Sequence, residues 1–146
     1  MKSKGDFPSI NEKEPQGLRP GGEPYRVLVV DDSMFIAKQL SQILTSEGFE
    51  ILATASDGEE GVNKYKEHHP MIDLVTMDVT MPKMDGITAL NKILEFDKNA
   101  AVVMISALGR NDLVKNALMA GAKNYIVKPL DRAKVLERVV ATLQKI

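Results

Sequence analysis

The chain has 146 residues, 44% hydrophobic and 27% charged, enough apolar material for one compact core and too little length for two ordinary domains. Its 19 basic and 20 acidic residues leave a formal net charge of -1 with no basic run, so nucleic acid is not an expected partner. The absence of cysteine excludes disulfides, thiolate zinc sites and thiol nucleophiles; with no bilayer-length apolar stretch and no signal-like segment, no membrane association is expected and the expected location is cytoplasmic.

Residues 1–24 carry prolines at 8, 15, 20 and 24 and glycines at 5, 17, 21 and 22, without a period that could form a buried face. They are expected to be a flexible tail, a docking segment being the alternative, and the domain proper is expected over 25–146. From there the pattern alternates. Short apolar runs at 26–31, 50–55, 72–78, 101–105 and 124–127 have strand length, are rich in valine and isoleucine, and are each followed by polar or turn-forming residues. Between and after them, amphipathic segments at 33–47, 58–68, 86–96, 111–120 and 132–145 have helical spacing. In the first, Phe35, Ile36, Leu40, Ile43 and Leu44 are expected on the buried face; in the last, Val135, Leu136, Val139, Val140 and Leu143. Ser56 with Asp57, and Asp85 with Gly86, have the composition of helix starts.

Strict alternation of strands and helices implies right-handed crossovers and a parallel sheet covered on both sides, an α/β three-layer sandwich. In such a sheet all strands end at one edge, where ligands collect. The residues at those ends are Asp31 and Asp32, then Asp78, Ser106 and Lys128. A helix cap accounts for Asp32 or Ser33 alone, but not for Asp31 beside it or for Lys128. Two like charges 4 Å apart repel by about 4 kcal/mol at an effective dielectric near 20, so clustered carboxylates need a proton, the Lys128 ammonium or a hard cation. Oxygen donors without His or Cys select Mg²⁺. Mg²⁺, a carboxylate, a hydroxyl and a lysine together suit phosphoryl transfer to an aspartate.

The stretches "VVDDS", "TMDVTMPKMDG", "ISA" and "YIVKP", in this order, resemble the receiver domains of two-component response regulators, over about 26–146. The resemblance implies a flavodoxin-like, doubly wound five-stranded sheet in the order 2-1-3-4-5. It implies that Asp78 is the phosphoacceptor, with Asp32 and Asp78 holding Mg²⁺ directly, Asp31 through water, and the Thr80 backbone carbonyl completing the set. Ser106 would be the switch hydroxyl, Lys128 the phosphoryl partner, and Pro129 would follow a cis peptide bond. Tyr125 would be the aromatic that turns inward on activation; a strand aromatic filling core is the plainer reading of it. The implied phosphodonor is a histidine kinase and a phosphatase an implied partner; beyond its own phosphorylation and dephosphorylation no enzymatic activity is expected.

The sequence ends directly after the fifth helical segment, so output is expected through a separate protein. "MISALGR", "GAKNYIVKP" and Ala107 look like the chemotaxis type, with the flagellar motor switch as expected effector and about 111–145 as the partner surface. A phosphorelay shuttle, or a receiver with a non-flagellar effector, is the alternative. A magnesium-dependent phosphatase is disfavoured because no cap region for substrate is present. The repelling carboxylates disfavour a flavodoxin, and glycine-rich dinucleotide or triphosphate loops are missing. His68 and His69 are expected as surface residues, and Met34, Met77, Met81, Met84 and Met104 as gap-filling core.

Overall fold

The structure, a computed structural model, describes residues 14–145. Five strands alternate with five helices: β1 (Arg26–Val30), α1 (Met34–Thr45), β2 (Glu50–Ala55), α2 (Gly58–His68), β3 (Leu74–Asp78), α3 (Gly86–Phe96), β4 (Val102–Ser106), α4 (Asn111–Ala120), β5 (Asn124–Val127) and α5 (Arg132–Gln144). The strands form one parallel sheet in the order β2-β1-β3-β4-β5, the flavodoxin-like arrangement.

Side-chain alternation along each strand divides the core in two. Leu28, Val30, Val75, Met77, Val102 and Met104 face α2, α3 and α4, meeting Val62, Tyr65, Leu90, Ile93 and Ala117. Val27, Val29, Leu74, Val103 and Ile105 face α1 and α5, meeting Leu40, Leu44, Val135, Leu136 and Val139. Because both faces are covered, the strands are apolar throughout instead of alternating with polar residues. Four of the five helices start where side chains supply caps: Ser33, Asp57, Asp85 and Asp131 accept from the amides of Ile36, Glu60, Thr88 and Lys134, whereas α4 starts without one.

Several expectations need correction. Met34 and Phe35 are 85% and 74% exposed, not core. The buried stripe of α1 runs through Ala37, Leu40, Ile43 and Leu44 at helical spacing, and Phe35 lies on the opposite side of the helix. Ile72 and Asp73 precede β3; the Asp73 carboxylate accepts from the Arg26 amide at 2.8 Å and pairs with Arg19. His69, exposed as expected, lies 3.4 Å from Asp97 and packs edge-on to Phe96.

Residues 14–24 lie against the amino-terminal edge of the sheet. The Gly17 amide donates to the Glu47 carbonyl and the Tyr25 amide to the Gly17 carbonyl, both at 2.8 Å. Leu18 and Pro24 bridge antiparallel, and the Arg19 guanidinium sits 4.9 Å over the Tyr25 ring while pairing with Asp73. The remainder of the expected tail, residues 1–13, lies outside the described residues.

Candidate functional site

Register assembles the site. β1 runs beside β3 with Val30 opposite Met77, so the next residue of each strand brings Asp31 alongside Asp78. β3 pairs with β4, which pairs with β5, Ser106 standing opposite Val127; the Lys128 amide then donates to the Ser106 carbonyl at 2.8 Å. β1 has β2 on one side and β3 on the other, so Asp31 and Asp78 flank the point where connections diverge, the place such sheets use for ligands.

Asp31, Asp32 and Asp78 each place a carboxylate oxygen within 4.8 Å of the others. Asp31 and Asp78 are 3% and 5% exposed, whereas Asp32 faces solvent. Lys128 Nζ donates to Asp78 Oδ1 at 3.3 Å and lies 3.8 Å from Asp31 Oδ2. Asp31 Oδ1 accepts from the Ser33 amide at 2.8 Å; its Oδ2, fully buried, has no hydrogen-bond partner. Burial pushes the Asp78 carboxyl up to about 6, reinforced by the Asp31 charge and by Asp32, against the pull of Lys128. Burial likewise raises Asp31, with the Ser33 amide and Lys128 opposing. One ammonium therefore does not balance three carboxylates.

A hard divalent cation fits this donor set: three clustered carboxylates without nitrogen or sulfur donors, one of them presenting an unpartnered buried oxygen.

Around this cluster the other sequence-selected residues are distributed unevenly. Ser106 is 1% exposed at the end of β4, its hydroxyl at 3.4 Å from the Ala107 carbonyl. Thr80 is exposed on the loop after β3. The peptide bond between Lys128 and Pro129 is cis. Tyr125 stands opposite Met104, half-buried, with the Arg138 guanidinium 4.6 Å from its ring. Sequence reading gave no role beyond a helix start to Asp57 and Gly58, and none to Lys83; these residues meet beside the loop that carries Thr80. The signal was available in the adjacent Asp-Gly, which marks a turn before an amphipathic run.

The family model of the response regulator receiver domain matches residues 27–140. Chemotaxis protein CheY of Treponema pallidum is 69% identical over 144 residues, covering 99% of this chain and 100% of the relative. CheY of Bacillus subtilis is 50% identical over 119 residues, covering 82% and 98%. Among solved structures, the CheX-CheY-BeF3-Mg complex from Borrelia burgdorferi superposes with a TM-score of 0.86 at 64% identity, covering 88% of this chain and 97% of that one. With its strand order, its acidic edge and these matches, the chain belongs to the response regulator receiver domains of two-component systems, as a CheY-like chemotaxis regulator.

Proposed function

We propose that this receiver is a magnesium-dependent switch that takes a phosphoryl group onto Asp78 from the phosphohistidine of a histidine kinase. The carrying observation is the cluster of Asp31, Asp32 and Asp78, one of whose buried carboxylate oxygens has no hydrogen-bond partner, with Lys128 bonded to Asp78. In the reaction an Asp78 oxygen forms a bond to phosphorus as the bond from phosphorus to the imidazole nitrogen breaks. Asp78 must present an ionised oxygen, and Lys128 favours that form while offering an ammonium to the incoming phosphoryl oxygens. Asp31, Asp32, Asp78 and the Thr80 carbonyl would hold the ion. Bound magnesium would neutralise the carboxylates and the charge that develops on the phosphoryl oxygens. The magnesium and BeF3 of the Borrelia complex support this reading.

Phosphorylation adds roughly 1.5 to 2 negative charges and strong acceptor oxygens. The Ser106 hydroxyl, held at present only by a long contact to its neighbour's carbonyl, would turn to donate to them. Lys128 would be drawn from the carboxylates toward the new anion. Tyr125, covered on one face by Arg138, would follow Ser106 inward and alter the face of α4, β5 and α5 that a flagellar motor switch protein would read. CheX, bound to CheY in the Borrelia complex, supports a further protein partner for this chain, and a phosphatase is proposed among its partners.

The test is phosphoryl uptake followed by intact mass, using a small acyl phosphate as donor. One phosphoryl group per chain is expected, dependent on magnesium and absent from Asp78→Asn. Equal uptake by that variant would refute the assignment. Binding of the phosphorylated form to a motor-switch peptide, against transfer to a histidine phosphotransfer protein, separates the two output readings.

A further inference from the structure

The loop between β3 and α3, residues 79–85, carries Thr80 and follows Asp78 directly, yet what holds it lies on another element. The Gly58 amide, first in α2, donates to the Met84 carbonyl at 3.2 Å. The approach is so close that a Cβ on Gly58 would stand 2.2 Å from that oxygen, 2.9 Å from the Met84 carbonyl carbon and 3.1 Å from the Asp85 carbonyl oxygen. These obstacles are backbone, which cannot swing aside as a side chain would. Between them the loop makes a sharp reversal: Lys83 has a φ of 66°, and the Met84 amide donates to the Pro82 carbonyl at 2.7 Å. Lys83, turned back by that conformation, reaches to 3.8 Å from Asp57 Oδ2. The other Asp57 oxygen caps α2 by accepting from the Glu60 amide at 2.8 Å. At its far end the loop is closed by the Gly86 amide donating to the Val79 carbonyl at 2.7 Å.

From this arrangement we infer that the Asp57-Gly58 turn is a positioning element for the acidic site: it is the seat that fixes the loop carrying Thr80, and through the loop the alignment of the oxygens around Asp78. Neither residue touches the cluster. They act through Met84 and Lys83, in the way that groups behind metal ligands set the ligands' geometry. The inference rests on the proposed magnesium site, and it adds that the affinity of that site depends on a turn belonging to the β2-α2 connection.

The experiment is a calorimetric magnesium titration of the full chain, beside amide hydrogen exchange of the metal-free protein. Gly58→Ala is expected to weaken magnesium by about tenfold, with Asp31, Asp32 and Asp78 all intact. Exchange protection in β1 and β3 should stay at the level of the parent. Lys83→Ala leaves every backbone contact in place and removes the pair with Asp57; a loss of roughly twofold is expected. This arm carries the test even where the added methyl of Gly58→Ala lowers the yield of folded protein. Parental affinity in both variants overturns the inference, as does weakened binding that tracks a general loss of protection across the sheet. If the parent itself binds no magnesium, the proposed function fails instead, so the two failures are distinct.

Discussion

At the amino-terminal edge of the sheet, carboxylates find partners of their own: Asp73 pairs with Arg19, while Glu50 lies 3.3 Å from Arg26. At the carboxyl-terminal edge Asp31, Asp32 and Asp78 converge on Lys128 alone among the described cations, and a buried Asp31 oxygen has no hydrogen-bond partner. Both edges belong to one parallel sheet with similar backbone. The difference lies in charge arithmetic. One edge is satisfied by the chain's own residues and serves stability; the other is left short of positive charge, and the proposed magnesium ion would supply it.

Removing the shared cation should break the comparison most strongly. Lys128→Met leaves two buried carboxylates uncompensated, and the metal-free protein at pH 7 should lose about 3 kcal/mol by urea denaturation. The loss should shrink at low pH, where Asp31 and Asp78 take up protons. The opposite change sharpens the contrast. Asp78→Asn should stabilise the metal-free protein at pH 7 by about 2 kcal/mol, because it removes a carboxyl whose ionisation burial opposes.

The pH dependence of that gain has a definite sign. With its carboxyl raised from 3.8 to about 6, folded Asp78 binds a proton more readily than the unfolded chain does. The protonated form carries no penalty below the unfolded value. The penalty grows as pH rises between the two values and stands in full above about 6. Denaturation of the parent and Asp78→Asn across pH 4 to 7 should therefore show curves that converge at the acid end and diverge toward neutrality. Parallel curves would place the Asp78 carboxylate in an ordinary environment.

The smallest effect belongs to the satisfied edge. Arg19→Ala should cost about 0.5 to 1 kcal/mol, decline with added salt, and leave magnesium affinity unchanged. A change in magnesium affinity on losing Arg19 would couple the two edges and blur the distinction between them.

Much of this division was legible before the structure. Runs such as "VLVVDD" and "VTMD" state both that a strand is buried on two faces and that it stops at an acidic edge, because a parallel sheet places all its strand ends together. Lys128 and Ser106 were readable for the same reason. What escaped the sequence lacks a periodic signature. The docking of residues 14–24 rests on backbone hydrogen bonds, Arg19 and scattered apolar contacts such as Gly17 against Phe49, which leave no periodic hydrophobic pattern. Met34 and Phe35 mislead because apolar composition alone does not reveal that they fall outside the buried stripe of α1. The adjacent Asp57 and Gly58 mark a turn in the sequence, but their close approach to a second loop is disclosed only by the packed backbone.

The most direct measurement is a calorimetric titration of magnesium into the parent and Asp31→Asn at pH 5 and pH 7. One ion per parent chain is expected, bound more tightly at pH 7 because at pH 5 the metal must displace a proton from Asp78, and bound about tenfold or more weakly once Asp31 loses its charge. A parent that takes up no magnesium, or a variant that binds it as the parent does at both pH values, would contradict this expectation.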